Sequence, residues 1–121
     1  MSTILLIEDD PLSARLADLI LTFEGYEVTV ASDGVKGLEI AKAACPDLVL
    51  LDLMLPGLDG LEVLARLRAH PETADARVVI ISSKAQAEDK EEAARIGADA
   101  YLTKPYRKAH LLEVVRSLLA E

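Results

Sequence analysis

Five short apolar runs, separated each time by a stretch with helical period, constrain this chain more than anything else in it. The runs are Thr3–Ile7, Glu27–Ala31, Leu48–Leu51, Arg77–Ile81 and Ala100–Leu102. The first, third and fourth are apolar at nearly every position, as a strand must be when both of its faces are covered. Between the runs, Leu12, Leu16, Leu19, Ile20 and Phe23 define one face of a first helix, which Gly25 closes. Ser32 or Asp33 caps a second, whose face is Val35, Leu38, Ala41 and Cys45. Asp59 followed by Glu62 is a capping-box pattern that opens a third, with Leu61, Leu64 and Leu67 inward. A fourth, rich in Ala and charge, runs from about Ala87 to Ile96 and stops at Gly97. Leu111, Val114, Val115 and Leu118 mark the fifth. Strict alternation of this kind predicts an α/β fold, with a parallel sheet covered by helices on both sides and right-handed crossovers.

The bulk numbers set the limits. A chain of 121 residues is the size of one domain with one core, so residues 1–121 are expected to fold as a unit. Half of it is hydrophobic but only 3% is aromatic, so that core is aliphatic. Thirteen basic residues against 21 acidic ones give a net charge of −8, which argues against direct nucleic-acid binding. No apolar run approaches the ~20 residues that span a bilayer, and the N-terminus lacks a signal-peptide pattern. A single cysteine, Cys45, fits a reducing compartment. The expectation is a cytoplasmic protein with no membrane partner.

In open parallel sheets, sites form at the carboxyl ends of the strands, where strand order reverses. Here "LLIEDDP" ends the first strand in Glu8 and Asp9, and "LVLLDLMLPGLDG" ends the third in Asp52. "VVIISSKA" ends the fourth in Ser82 and Ser83, and "AYLTKPY" ends the fifth in Lys104. All four groups fall on one edge of the sheet. Three carboxylates converging to about 5 Å repel one another by about 3 kcal/mol per pair at an effective dielectric of 20. A helix amino end offsets only about 0.3–1 kcal/mol of that. A divalent cation neutralises it better, and hard oxygen donors without Cys or His select Mg²⁺ or Mn²⁺. An Mg²⁺ held by few protein ligands commonly meets a phosphate, which points to phosphoryl chemistry.

Each piece alone has a plainer reading. Acids before Pro11 cap a helix, Asp52 fits the turn before Leu55-Pro56-Gly57, and Lys104 fits solvent. Their coincidence on one edge favours a site. Asp10 belongs to the helix start, and nothing links Cys45, His70 or His110 to the acids.

The set Glu8-Asp9, Asp52 in "LLDLMLPGLDG", Ser82 after an apolar run and Lys104-Pro105 resembles the receiver domain of bacterial response regulators, the CheY-like family of two-component signalling. The likeness extends over essentially the whole chain. It implies a doubly wound, flavodoxin-like (βα)5 domain with strand order 2-1-3-4-5. It implies Asp52 as phosphoacceptor, with a histidine kinase or phosphotransfer protein as donor. Asp9, Asp52 and the Met54 carbonyl would bind Mg²⁺ directly, with Glu8 acting mainly through water. Lys104 and Ser82 would hold phosphoryl oxygens. A carboxylate is a competent nucleophile toward phosphorus, and catalysis is then positioning plus charge neutralisation. The resemblance also implies a cis Lys104–Pro105 bond and a switch made of Ser82 and Tyr101. The output surface, for a downstream target or a homodimer, would be the fourth helix, fifth strand and fifth helix, with exposed apolar residues such as Leu112. Met54 and Lys84 flank the path of hydrolytic water and would tune the lifetime of the phosphoryl group.

Two rivals are distinguishable. A phosphatase or phosphotransferase with an aspartyl-phosphate intermediate would want an acid two residues after the nucleophile, where Met54 stands. A receiver-like binding module that is never phosphorylated would typically lack one of the acids or the lysine, and this chain keeps them all.

Overall fold

The computed structural model describes residues 2–120, so the chain ends Met1 and Glu121 lie outside the described residues. Strand and helix alternate throughout: β1 Thr3–Ile7, α1 Pro11–Phe23, β2 Glu27–Ala31, α2 Gly34–Ala44, β3 Leu48–Asp52, α3 Gly60–Ala69, β4 Arg77–Ser82, α4 Ala87–Ile96, β5 Ala100–Thr103 and α5 Lys108–Leu119. The strands form one parallel sheet of order β2-β1-β3-β4-β5. Order therefore reverses between β1 and β3, where a crevice opens at their carboxyl ends.

Alternate residues of the central strands feed two aliphatic layers. Leu5, Ile7, Val49, Leu51, Val78 and Ile80 pack under α2, α3 and α4. Ile4, Leu6, Leu48, Leu50, Val79 and Ile81 pack under α1 and α5. Burial on both faces is why β1, β3 and β4 read as unbroken apolar runs. Three strands run one residue further than their apolar cores suggest. In consequence Asp52 and Ser82 belong to the ladder, Asp52 opposite Ile81 and Ser82 opposite Thr103. Their backbones are fixed by sheet hydrogen bonds.

The helix starts follow the sequence. Asp10, Asp33 and Asp59 accept hydrogen bonds from the amides of Ser13, Lys36 and Leu61 respectively. Only half of the expected capping box forms, because Glu62 pairs with Arg66 one turn on.

Two helix faces differ from expectation. On α1 the buried residues are Ala14, Ala17 and Leu21, with Ile20 partly buried, while Leu12, Leu16, Leu19 and Phe23 face outward. Two apolar stripes run along this helix, and the small alanines of one let its backbone approach the sheet. On α2, Leu38 and Ala41 are buried as expected, but Val35 and Cys45 are exposed. Gly34 and Gly37 take the inner positions; a Cβ on Gly37 would lie 2.4 Å from the Ile7 side chain. Cys45 ends the helix in a left-handed conformation with φ 48°, which turns it out of the packed face. Leu112, expected on the output surface, is buried against the α1–α5 layer.

Candidate functional site

The carboxyl edge of the sheet gathers the predicted residues. Glu8 and Asp9 leave β1, Asp52 ends β3, and one carboxylate oxygen from each lies within 4.8 Å of the others. Glu8 and Asp52 are buried and Asp9 is exposed. Lys104, just past β5, reaches across the crevice. Its Nζ donates to Glu8 Oε1 at 2.5 Å and to Asp52 Oδ2 at 2.9 Å. The other Asp52 oxygen, Oδ1, accepts from the Met54 amide at 2.9 Å. Both oxygens of Asp52 are thus oriented.

The electrostatics show an under-neutralised cluster. Burial, reinforced by the hydrogen bond and charge of Asp52, pushes the Glu8 carboxyl from 4.5 up to about 7 against the opposing pull of Lys104. Desolvation lowers the Lys104 pKa, but the hydrogen bonds to Glu8 and Asp52 outweigh it and hold the ammonium above its ordinary range. One cation facing three acids leaves negative charge uncompensated. Hard oxygens at this spacing, with no Cys or His among them, fit a hydrated oxygen-seeking divalent cation.

The flanking loops bring further predicted residues together. Ser82 is fully buried, and its Oγ accepts from the Lys84 amide at 3.1 Å. The Tyr101 hydroxyl donates to the Lys84 carbonyl at 2.8 Å, so Ser82, the loop after β4 and Tyr101 are linked through one residue's backbone. Burial raises the Tyr101 phenol above its usual range. Met54, Lys84 and Asp9 line one hollow of about 570 Å³ beside the acids. The Lys104–Pro105 bond is cis.

Gly60 is the residue that sequence reasoning missed. A Cβ there would sit 2.5 Å from the Asp52 carbonyl oxygen and 2.5 Å from the Leu53 Cα. The amide of Gly60 donates to Leu53 O, which ties the start of α3 to the end of β3. Only the "LDG" before α3 could have signalled this close approach. Cys45, His70 and His110 stay away from the acids; His70 pairs with Glu72.

A sequence profile described as "Response regulator receiver domain" matches residues 4–116. The chain belongs to that family. This receiver is 44% identical over 119 residues to the DNA-binding dual master transcriptional regulator RpaA of Synechocystis sp., covering 98% of this chain and 49% of that protein. It is 40% identical over 119 residues to the response regulator ArlR of Staphylococcus saprophyticus, covering 98% of the receiver and 53% of ArlR. The receiver spans about half the length of these relatives. Among solved structures, it superposes on the chemotaxis protein CheY4 of Vibrio cholerae with TM-score 0.93 at 26% identity, over 98% and 99% of the two chains. It superposes on the receiver domain of the sensor histidine kinase PA1611 of Pseudomonas aeruginosa with TM-score 0.92 at 28% identity, over 99% and 98%. That structure has a magnesium ion coordinated in its active-site cleft. In the present receiver, Glu8, Asp9 and Asp52 form an acidic cluster that could hold a metal ion. No helix among its described residues is long and apolar enough to cross a membrane.

Proposed function

We propose that this receiver is a phosphorylation-activated switch whose phosphoacceptor is Asp52, supplied by a histidine kinase or a phosphotransfer protein. A buried carboxylate with both oxygens oriented, next to a lysine and a cluster of acids, is the observation that carries the reading. Asp52 attacks phosphorus with one carboxylate oxygen, and the donor's own bond to phosphorus breaks, leaving an acyl phosphate. Lys104, already raised in pKa, stays an ammonium and neutralises a phosphoryl oxygen. Ser82 needs only to turn its hydroxyl from the Lys84 amide to donate to another.

Asp9, Asp52 and the Met54 carbonyl would hold Mg²⁺, or Mn²⁺, with Glu8 contributing mainly through water. Bound there, the ion supplies charge neutralisation at the phosphoryl group. Because Lys84 accepts from Tyr101, motion of Ser82 is felt at β5 and α4, the surface that would meet a downstream target or a second receiver. The net charge of −8 argues against direct nucleic-acid contact by this segment. DNA binding is named for RpaA, a protein twice as long. The whole unit, residues 1–121, acts as one cytoplasmic domain in this reading, and as a switch rather than an enzyme with turnover.

Asp52→Asn is the direct test. Acetyl phosphate with Mg²⁺ should add one phosphoryl mass to the wild type, labile to hydroxylamine, and none to the variant, whose fold by circular dichroism stays unchanged. Equal hydroxylamine-sensitive labelling of the variant would place the acceptor elsewhere.

A further inference from the structure

The two ends of α4 are held very differently. Its amino end begins at Gln86, whose side chain caps nothing, and Ala93 is the one buried residue of the helix. Its carboxyl end is gripped by a single side chain. Arg68, near the end of α3, donates from Nε and Nη2 to the Gly97 carbonyl oxygen at 3.0 and 2.8 Å. Nη2 also donates to Asp99 Oδ2 at 2.9 Å, and Nη1 donates to the carbonyls of Ala74 and Ala76 at 2.9 and 2.5 Å. One guanidinium thus joins the end of α4 to α3 and to the loops that follow both helices.

The fit calls for arginine and glycine. A planar fork with five donors can grip one carbonyl twice and still reach two loops, which a lysine ammonium cannot. Gly97 has φ 131°, and a Cβ there would lie 3.0 Å from Arg68 Nε, so a side chain at this turn would push the guanidinium away. Asp99 is itself fixed, because the oxygen that meets Arg68 also accepts from the Val78 amide, and its own amide donates to the Val78 carbonyl. Ile96 and Ala98 pack against the aliphatic layer that α3 covers. The start of α3 is in turn tied to the end of β3 through Gly60. The carboxyl end of α4 is therefore fastened to the frame of the sheet, and its amino end is not.

We propose that Arg68 makes Gly97 a pivot, so that α4 swings from its amino end when the receiver is switched. This rests on the phosphorylation reading above and adds where the motion stops. The linkage of Ser82, Lys84 and Tyr101 acts just before α4, so the pull arrives at the free end. A helix of ten residues is about 15 Å long, and a tilt of about 10° moves its amino end by about 2.5 Å while its last turn stays within about 1 Å. None of the Arg68 hydrogen bonds goes to the acids of the site, so Arg68 is a positioning residue. A partner that reads the switch meets a changed surface at residues 87–91 and an unchanged one at 96–98.

Amide spectra of the whole chain, with and without Mg²⁺ and the phosphoryl mimic beryllofluoride, test this. Shifts should be largest over residues 83–91, decline along α4 and vanish at 96–98. Arg68→Lys keeps a positive charge beside Asp99 but releases the double grip on the Gly97 carbonyl. In that variant the activation shifts should run on through 96–98. Before activation, its Gly97 and Ala98 amides should exchange at least about tenfold faster, as the loss of one charge-assisted hydrogen bond implies. Faster exchange without any spread of the activation shifts is what a merely structural arginine would give, and it overturns the pivot. Wild-type shifts as large at 96–98 as at 83–91 overturn it whether or not the variant folds. Beryllofluoride that leaves the amides around Ser82 and Tyr101 unmoved refutes the switch reading and the pivot with it. Shifts that start there and run undiminished along α4 refute the pivot alone.

Discussion

Glu8 is the residue whose environment says most about what the site needs. It is almost fully buried, faces Asp52 and shares one lysine with it, and its carboxyl is pushed from 4.5 to about 7. Between those two pH values the folded protein keeps a proton that the unfolded chain has lost. Without metal, stability should therefore be greatest below about pH 4.5 with respect to this group, and fall as pH rises toward 7, by at most about 3 kcal/mol. A cation displaces that proton, so Mg²⁺ affinity should climb up to tenfold per pH unit below pH 7 and level off above it. Magnesium titrations from pH 5 to pH 8 measure this, and Glu8→Gln should flatten the profile; an equally steep profile in the variant would move the proton to another group. Met54 and Lys84 act later, on the lifetime of the phosphoryl group. Both line the hollow beside Asp9 through which hydrolytic water would approach. Met54 offers no strong acceptor, and a protonated Lys84 cannot take a proton from water. Met54→Asn with Lys84→Glu should speed loss of phosphate from the Asp52-phosphorylated protein, and a double variant that decays no faster would show that neither side chain controls the water.

Among the elements, the strands were legible and the helix faces less so. The apolar runs place each strand to within one residue, most plainly β1, β3 and β4, where burial on both faces leaves an unbroken apolar run. The missing residues, Asp52, Ser82 and Thr103, are polar and read as strand ends although their backbones remain in the ladder. On α1, hydrophobicity alone ranks the leucine stripe above Ala14 and Ala17, whereas the sheet selects the stripe that lets the helix come close. Truncation separates the two. Leu112→Ala, in the layer under α1 and α5, should cost about 2–5 kcal/mol in urea unfolding. Leu19→Ala, outward on α1, should cost under about 0.5 kcal/mol in dilute solution. Equal losses would contradict the observed orientation of α1. The site was legible because a parallel sheet gathers its strand ends on one edge, so Glu8, Asp9, Asp52, Ser82 and Lys104 could be placed together without coordinates. The Tyr101 hydroxyl on Lys84 O, and the two carboxylates shared by Lys104, depend on loop conformation and carry no periodic signal. Gly60 belongs with them, since its role is a distance to β3 rather than a pattern.

At the scale of the molecule, the acids sit where the sheet changes direction. Asp9 follows β1 and Asp52 ends β3, and these adjacent strands are where strand order reverses toward β2 on one side and toward β4 and β5 on the other. The three carboxylates therefore stand at the ends of two central strands whose side chains reach both aliphatic layers. A cation that neutralises them ties together elements at the centre of the fold, so its effect should appear in global unfolding and not merely in the loops. Binding to the folded state alone stabilises by mass action, and free Mg²⁺ at tenfold the dissociation constant gives about 1.4 kcal/mol. For a domain of this size, that corresponds to a rise in melting temperature on the order of 5 °C. Asp9→Ala should abolish the response and Glu8→Ala should weaken it less, if Asp9 is the direct ligand and Glu8 acts mainly through water. Thermal melts of the three proteins across an Mg²⁺ series, followed by far-ultraviolet circular dichroism, measure both the size and the order. A wild-type melting temperature indifferent to Mg²⁺ would remove the metal from the site, and equal responses in the two variants would overturn the assignment of the ligands.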